Sequence, residues 1–220
     1  MVGLSGSPAM NRHVVTTGGL LAAILLHNLI YPLSISSIFG AVLFYLIYAS
    51  MFVVATWRLT EITWLRYGVA IAGGLVFAVG MANAVASTQA TSIGIYTTSI
   101  AYHAFMIVVL ARHTFMARTV MTDILLAATA LYLVIGSMYA AIFATVEWFE
   151  PGSFVSSSGA EVTWQLLLYY SYVTLTTLGY GDITPVGFYA QAFAAFEAVM
   201  GVLYTVILLA RLVGKHASQN

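Results

Sequence analysis

The sequence predicts an all-α integral membrane protein with six transmembrane helices and one shorter, re-entrant helix. Of its 220 residues, 61% are hydrophobic and 6% are charged, and the mean hydropathy is +0.96. These values lie far outside the range of soluble domains. The few charged residues are concentrated between long apolar runs. Because a bilayer cannot hydrogen-bond exposed peptide groups, runs of this length are typical of membrane-spanning helices.

Two uncharged runs predict the first four spans. No Asp, Glu, Lys or Arg occurs in residues 13–57 or in residues 67–111. Each run is more than twice the roughly 20 residues that one crossing requires, and each has a Pro- or Ser-rich turn near its middle. Residues 1–11, with Gly, Ser and Pro, predict a disordered lead. The predicted helices are residues 14–31, 36–57, 67–86 and 93–111.

The second half of the chain has a different pattern. A fifth span is predicted at residues 123–146, followed by a surface loop from Glu147 to Glu161 that contains Pro, Gly and a serine cluster. Residues 164–176 are helix-compatible but too short to cross a bilayer of about 30 Å, which indicates a re-entrant half-helix. Residues 187–212 are long enough for a tilted sixth span.

The positive charges predict the orientation. If the N-terminus is cytoplasmic, all seven Lys and Arg residues fall on the cytoplasmic side. We therefore expect a multi-pass protein of the plasma (inner) membrane with both termini in the cytoplasm. The same arrangement places four carboxylates outside, where they can raise the local cation concentration: Glu147, Glu150, Glu161 and Asp182.

The stretch from Thr174 to Asp182 reads Thr-Leu-Thr-Thr-Leu-Gly-Tyr-Gly-Asp and follows the predicted half-helix. Gly179 and Gly181 are two residues apart, and glycine adopts positive φ without steric cost. A backbone that alternates in handedness can turn successive carbonyls to one side. At membrane depth such carbonyls must line a path filled with water or ions.

These residues resemble the selectivity filter of tetrameric potassium channels of the bacterial type, which have a two-helix pore domain. The resemblance implies a homotetramer in which each chain supplies a quarter of every oxygen ring. It implies that K⁺ binds the carbonyls of Thr177, Leu178, Gly179 and Tyr180, with the Thr177 hydroxyl below them and Gly181 completing the loop. Many family members have valine where this chain has Leu178, so the packing behind the filter differs.

The resemblance also implies residues that support the filter, namely Thr176, Asp182 and Tyr169. Some family members have a buffering glutamate at the position of Val173, so a carboxylate partner for Asp182 is missing here. We therefore predict that the Tyr169 hydroxyl hydrogen-bonds to Asp182. Residues 1–118 are predicted to form a four-span domain, and residues 119–220 a pore domain with an outer helix, the half-helix, the filter and an inner helix.

The predicted gating candidates lie in the sixth span. Gly201 is interpreted either as a hinge or as a site of close packing against the fifth span. Glu197 is either a pH-dependent gate or a hydrogen-bonded structural carboxyl behind the filter. Thr205, Leu209 and Val213 share a helix face with Gly201 and are candidates for the cytoplasmic constriction.

The first four spans lack the signature of a voltage sensor. Residues 93–111 contain no arginine, so little or no voltage dependence is expected from them. His27, Asn83 and His103 are polar groups in these spans. They outline either a ligand or proton site or ordinary interhelical hydrogen bonds.

The favoured function is a potassium-selective channel that conducts K⁺ passively. The alternatives are a weakly selective cation channel and, from a different class, a membrane carrier or enzyme that uses the intramembrane His and Asn residues. No enzyme is expected, because the chain lacks cysteine and a nucleophile–base motif. No cofactor is expected beyond K⁺ as the permeant ion. The expected partners are three further copies of the chain and membrane lipids; the zero net charge indicates no nucleic acid, and any regulatory subunit is left open.

Overall fold

The computed structural model describes residues 8–30, 38–116 and 122–217. Within these ranges the chain forms seven helices and one small antiparallel sheet. In chain order the elements are α1 (Pro8–Ile30), α2 (Ile38–Leu59), α3 (Thr63–Val85), α4 (Gln89–Met116), α5 (Thr122–Phe149), β1 (Phe154–Ser156), α6 (Trp164–Leu175), β2 (Ile183–Pro185) and α7 (Phe188–Ala217).

The predicted fold class is confirmed. Among the described residues, five helices (α2, α3, α4, α5 and α7) are long and apolar enough to cross a membrane. Helix α1 has 23 residues, and its crossing stays a prediction. Helix α6 has 12 residues, which at 1.5 Å per residue is about 18 Å, too short for a crossing. This length matches the predicted half-helix.

Some predicted boundaries were wrong at the helix ends. Helix α1 begins at Pro8 and not after a disordered lead to residue 11; proline is well tolerated in a first helical turn. Helix α4 begins at Gln89, four residues earlier than predicted. The reason is a reciprocal cap: Thr91 N donates to Thr88 Oγ1 at 3.2 Å and Thr88 N donates to Thr91 Oγ1 at 2.9 Å. The predicted turn at residues 31–37 and Arg118 lie outside the described residues.

Helix α5 is the centre of the packing. It contacts α1, α4, α6 and α7. Its most apolar stretch is 61% buried, whereas that of α7 is 22% buried. Its small residues Ala127, Ala130 and Gly136 are buried, and small side chains let membrane helices approach closely. Helix α5 therefore connects the first four helices to the α6–loop–α7 segment.

The loop from Glu147 to Glu161 is more ordered than the sequence indicated. It contains β1, which pairs with β2 in the register Phe154↔Pro185, Val155↔Thr184 and Ser156↔Ile183. The Glu147 carboxylate accepts hydrogen bonds from Gly152 N at 2.7 Å and Phe154 N at 3.0 Å. The two segments that flank α6 are thereby tied together on one side of the molecule.

Gly201 lies where α7 crosses the end of α6. A Cβ atom at this position would lie 2.0 Å from the Leu175 carbonyl oxygen. The close-packing interpretation of Gly201 therefore has a structural basis, but the partner is the end of α6 and not the fifth span. The backbone of Leu175 is a rigid neighbour, so the contact cannot be relieved by moving a side chain.

We predict that Gly201→Ala lowers the free energy of unfolding by about 1–3 kcal/mol, the usual effect of overpacking. Thermal unfolding of the purified protein in detergent measures this change. Gly74→Ala is the matched control, because Gly74 is also in a helix and nothing lies within 4 Å of its added Cβ. That control should raise the free energy of unfolding by about 0.5–1 kcal/mol. Equal effects of the two substitutions would contradict the predicted contact.

Candidate functional site

The loop after α6 is turned by backbone hydrogen bonds to the last turn of that helix. Helix α6 begins with a cap in which Leu166 N donates to Thr163 Oγ1 at 3.4 Å. At its other end, Leu178 N and Gly179 N both lie near the Val173 carbonyl oxygen, at 2.9 and 3.4 Å. The chain therefore reverses direction immediately after the helix.

The backbone of this loop alternates in handedness, as the glycine spacing predicted. Thr177, Gly179 and Gly181 have φ angles of +58°, +58° and +76°, while the described residues between them have negative φ. Positive φ at Thr177 was not predicted, because a β-branched residue rarely adopts it. Strained positions of this kind persist where the surroundings enforce them and are concentrated at functional sites.

The carbonyls of this loop have no hydrogen-bond donors in the described part of the chain. No backbone N–H or side chain there donates to the carbonyls of Thr177, Leu178, Gly179 or Tyr180. All four residues are exposed in the single chain. At membrane depth, peptide carbonyls without a protein donor must line a path filled with water or ions. Oxygen ligands of this kind suit alkali cations.

The predicted contact between Tyr169 and Asp182 is present. Tyr169 Oη donates to Asp182 Oδ2 at 2.8 Å. Ile183 N donates to Asp182 Oδ1 at 3.1 Å, and Ser157 N donates to the Asp182 carbonyl at 2.8 Å. The hydrogen bond to Asp182 raises the pKa of the Tyr169 hydroxyl, because ionisation would remove the donated proton. The phenol thus remains a donor at neutral pH.

Glu197 is buried behind α6, next to a serine that the sequence analysis missed. The Ser171 hydroxyl lies 2.5 Å from Glu197 Oε1 and 2.7 Å from the Gly136 carbonyl oxygen. Glu197 is fully buried, and its Oε2 has no partner among the described residues. One hydroxyl proton cannot satisfy two acceptors. Both contacts become hydrogen bonds if Ser171 donates to the Gly136 carbonyl and a protonated Glu197 carboxyl donates to the Ser171 oxygen. A protonated carboxyl also avoids an unpaired buried charge.

The remaining gating candidates lie on the exposed side of α7. Thr205, Leu209 and Val213 are all exposed in the single chain, and Thr205 Oγ1 donates to the Gly201 carbonyl at 3.0 Å. The structure gives them no contact that tests a role in gating, so that role stays a prediction. Thr176, the third support residue, is exposed, and its hydroxyl donates to the Tyr172 carbonyl at 2.6 Å.

Two contacts behind the loop were missed because their residues look like ordinary membrane-helix residues in the sequence. Tyr132 Oη donates to the Leu175 carbonyl at 2.9 Å, at the end of α6. Asn28 Nδ2 donates to Tyr172 Oη at 2.7 Å, which joins α1 to α6. Both are long-range pairs, and no local sequence signal identifies them.

The polar residues of the first four spans are brought together. His27, Asn83 and His103 line one cavity. His103 also makes the interhelical bond that the alternative interpretation expected, because Tyr48 Oη lies 3.3 Å from His103 Nε2. Asn83 accepts a hydrogen bond from Thr91 Oγ1 at 2.9 Å. Two of the three residues are therefore engaged in hydrogen bonds between helices.

Comparison with known proteins finds similarity to channels in the second half of the chain. Residues 119–215 match the family model described as ion channel. The protein described as two pore potassium channel c, from Oryza sativa subsp. japonica, is 39% identical over 83 residues, which is 37% of this chain. That match covers 16% of the rice protein, a minor part of its length. No solved structure gives a significant match.

Both similarities point to an ion channel and not to an enzyme, as the sequence predicted. The apolar helices of the described residues make the chain a multi-pass membrane protein. Potassium is named in the description of the rice protein and is not thereby shown for this chain.

We predict that Tyr169→Phe loosens the segment after the loop. Loss of the donated proton frees Asp182, so amide hydrogen exchange at Ile183 and Ser157 should accelerate several-fold. Tyr189→Phe is the control, because Tyr189 is exposed and makes no hydrogen bond within the described residues. Unchanged exchange at both amides in Tyr169→Phe would show that Tyr169 does not hold Asp182.

We predict that Glu197 is a neutral carboxylic acid at pH 7. The infrared difference spectrum of wild type minus Glu197→Gln should then contain the carbonyl band of a protonated carboxyl. The variant should remain folded, since the amide can donate to Ser171 as the acid does. Glu161→Gln at an exposed loop position should give carboxylate bands instead. Carboxylate bands in the Glu197 difference spectrum would overturn the proton assignment.

Proposed function

We propose that this protein is a homotetrameric, potassium-selective channel that conducts K⁺ passively across the plasma (inner) membrane. The observation that carries the proposal is the loop from Thr177 to Gly181. Its handedness alternates at every residue, and its first four carbonyls have no donor within the described residues. A stack of such carbonyl rings is what replaces the hydration shell of K⁺ in potassium-channel filters.

The charge distribution around the loop favours a cation. The C-terminal end of α6 points its partial negative charge, about half an elementary charge, toward the start of the loop. Asp182 adds a carboxylate at the other end, and the described loop has no Lys or Arg. A cation therefore meets favourable potential at both ends. An anion would meet unfavourable potential along the whole row of carbonyl oxygens.

A single chain is incomplete as a pore, because one row of oxygens surrounds no ion. Four copies around an axis would close each ring. The low burial of α7 in the single chain, 22% over its most apolar stretch, agrees with a helix that is covered by other copies on one side. Within this assembly we assign residues 119–220 to the pore domain and residues 1–118 to a peripheral four-span domain.

The orientation follows from the same assignment. Arg12, Arg58, Arg66 and Arg211 lie near the ends of their helices, and we propose that these ends share the cytoplasmic side. The β1–β2 sheet and Asp182 then lie outside. Lipids contact the exposed apolar faces of α2, α3 and α4.

A weakly selective cation channel is the second candidate, and Leu178 is the observation that favours it. Its side chain is 54% exposed in the single chain and is larger than the valine common in the family. If it fails to pack behind the loop, the carbonyls can move and admit Na⁺. Reversal potentials under bi-ionic K⁺ and Na⁺ conditions separate the two candidates.

Gly179→Ala is expected to reduce K⁺ flux in liposomes at least tenfold. Alanine at φ +58° is strained, so relaxation of the backbone would rotate the neighbouring carbonyls out of the row. The measurement is barium-sensitive K⁺ uptake into vesicles that contain the purified protein. Gly152→Ala is the matched control: Gly152 has φ +87° and nothing within 4 Å of an added Cβ, but it lies in the outer loop.

The control should retain flux close to that of the wild type. Equal flux in all three proteins would show that ions do not pass through this loop. Equal loss in both variants, with intact helical content, would show a general effect of strained alanine and not a filter.

A further inference from the structure

A cavity lies among the first six helices, and none of its lining residues belongs to the loop after α6. Its volume is about 110 Å³, and its walls come from α1, α2, α3, α4, α5 and α6. For comparison, an apolar cavity of about 150 Å³ in another protein accepts benzene. The space therefore suits one small ring or a few water molecules.

His27 is the reason to expect an occupant with a polar group. It is 9% exposed, and its Nδ1 has no hydrogen-bond partner among the described residues. Its ring is stacked with Phe44 and Tyr48 at centroid distances of 4.2 and 4.8 Å. Buried ring nitrogens normally have a partner. Because His27 is a lining residue of the cavity, its unpaired nitrogen indicates a missing group.

Several other polar groups of the wall already have partners. His103 Nδ1 lies 2.7 Å from the Ser99 carbonyl, and Tyr48 Oη lies 3.3 Å from His103 Nε2. Asn28 Nδ2 donates to Tyr172 Oη. Among the lining residues, His27 supplies the buried polar atom that has no partner, and aromatic side chains surround it.

The wall carries no charge that would hold an ion. None of its lining residues is Asp, Glu, Lys or Arg. A charged occupant would leave water for a mostly apolar site with no opposite charge, which is costly. Aromatic faces, by contrast, pack well against another ring. The chemistry of the wall selects an uncharged aromatic molecule with a hydroxyl group.

We propose that this cavity is a binding site for a small uncharged aromatic alcohol whose hydroxyl group hydrogen-bonds to His27 Nδ1. The ring lies among the aromatic side chains of α2 and against Trp164 at the start of α6. This site is separate from the carbonyl row and does not depend on ion conduction. A hydroxyl serves either tautomer of His27, since it can donate or accept.

The test uses phenol as the probe and the full chain in lipid nanodiscs. Ligand-detected NMR should show saturable phenol binding to the wild type. His27→Phe keeps the aromatic stacking and removes the nitrogen, so it should weaken phenol binding at least tenfold. Benzene, which lacks the hydroxyl, should bind the wild type more weakly than phenol and should not distinguish the two proteins.

Two further variants keep the test decisive. His13→Phe changes a half-buried histidine outside the cavity and should leave phenol binding unchanged. Ala140→Met fills the cavity from α5 while His27 remains, and it should abolish saturable binding even if His27→Phe does not fold.

Non-saturable uptake that is the same for all four proteins would mean that the cavity holds water only, and it would overturn the proposal. Saturable binding with equal affinity for phenol and benzene would overturn the role of His27. Because every readout is binding, failure here leaves the proposed channel function standing, and failure of ion flux leaves this site standing.

Discussion

A row of peptide carbonyls that accept no hydrogen bond from the described residues is the constraint on which the rest of the structure depends. In a membrane protein such groups are costly unless they meet water or a cation. The chain creates the row by placing Thr177, Gly179 and Gly181 at positive φ. At the two glycines, positive φ has little steric cost. At Thr177 it is strained, so neighbouring contacts must stabilise it.

Three contacts hold the loop and the end of α6 in place. The Val173 carbonyl accepts from the loop that follows it, the Asp182 carboxylate is held by Tyr169, and α7 approaches the end of α6 at Gly201 so closely that no side chain fits. Behind α6, Ser171 bridges Gly136 of α5 and Glu197 of α7. The loop is thus held by the tightly packed helices α5, α6 and α7.

The peripheral helices join this set at two separate places. Asn28 of α1 donates to Tyr172 of α6, and Arg211 of α7 donates to the Phe115 carbonyl of α4 while lying over its ring. One link reaches α6, and the other reaches the C-terminal half of α7. Movement in the first four helices therefore has a physical route to both α6 and α7.

The helices and the short half-helix could be predicted because charge-free runs and bilayer thickness limit where spans begin and end. The alternating backbone could be predicted from Gly179 and Gly181, and the partner of Asp182 from the absence of a carboxylate at Val173. The β1–β2 sheet could not, since its three-residue strands lie among turn-forming residues. Ser171 and Tyr132 gave no signal, because their partners are distant in the chain and neither residue is unusual in a membrane helix.

Locating cations in the assembled protein tests most directly whether the carbonyls of Thr177 to Tyr180 bind them. Crystals soaked in thallium(I), which has nearly the radius of K⁺, give anomalous difference maps that mark bound monovalent cations. We predict a row of peaks on a fourfold axis, each surrounded by carbonyl oxygens of Thr177 to Tyr180 from four chains. An assembly without such an axis, or an axis with no peaks between these carbonyls, would contradict it.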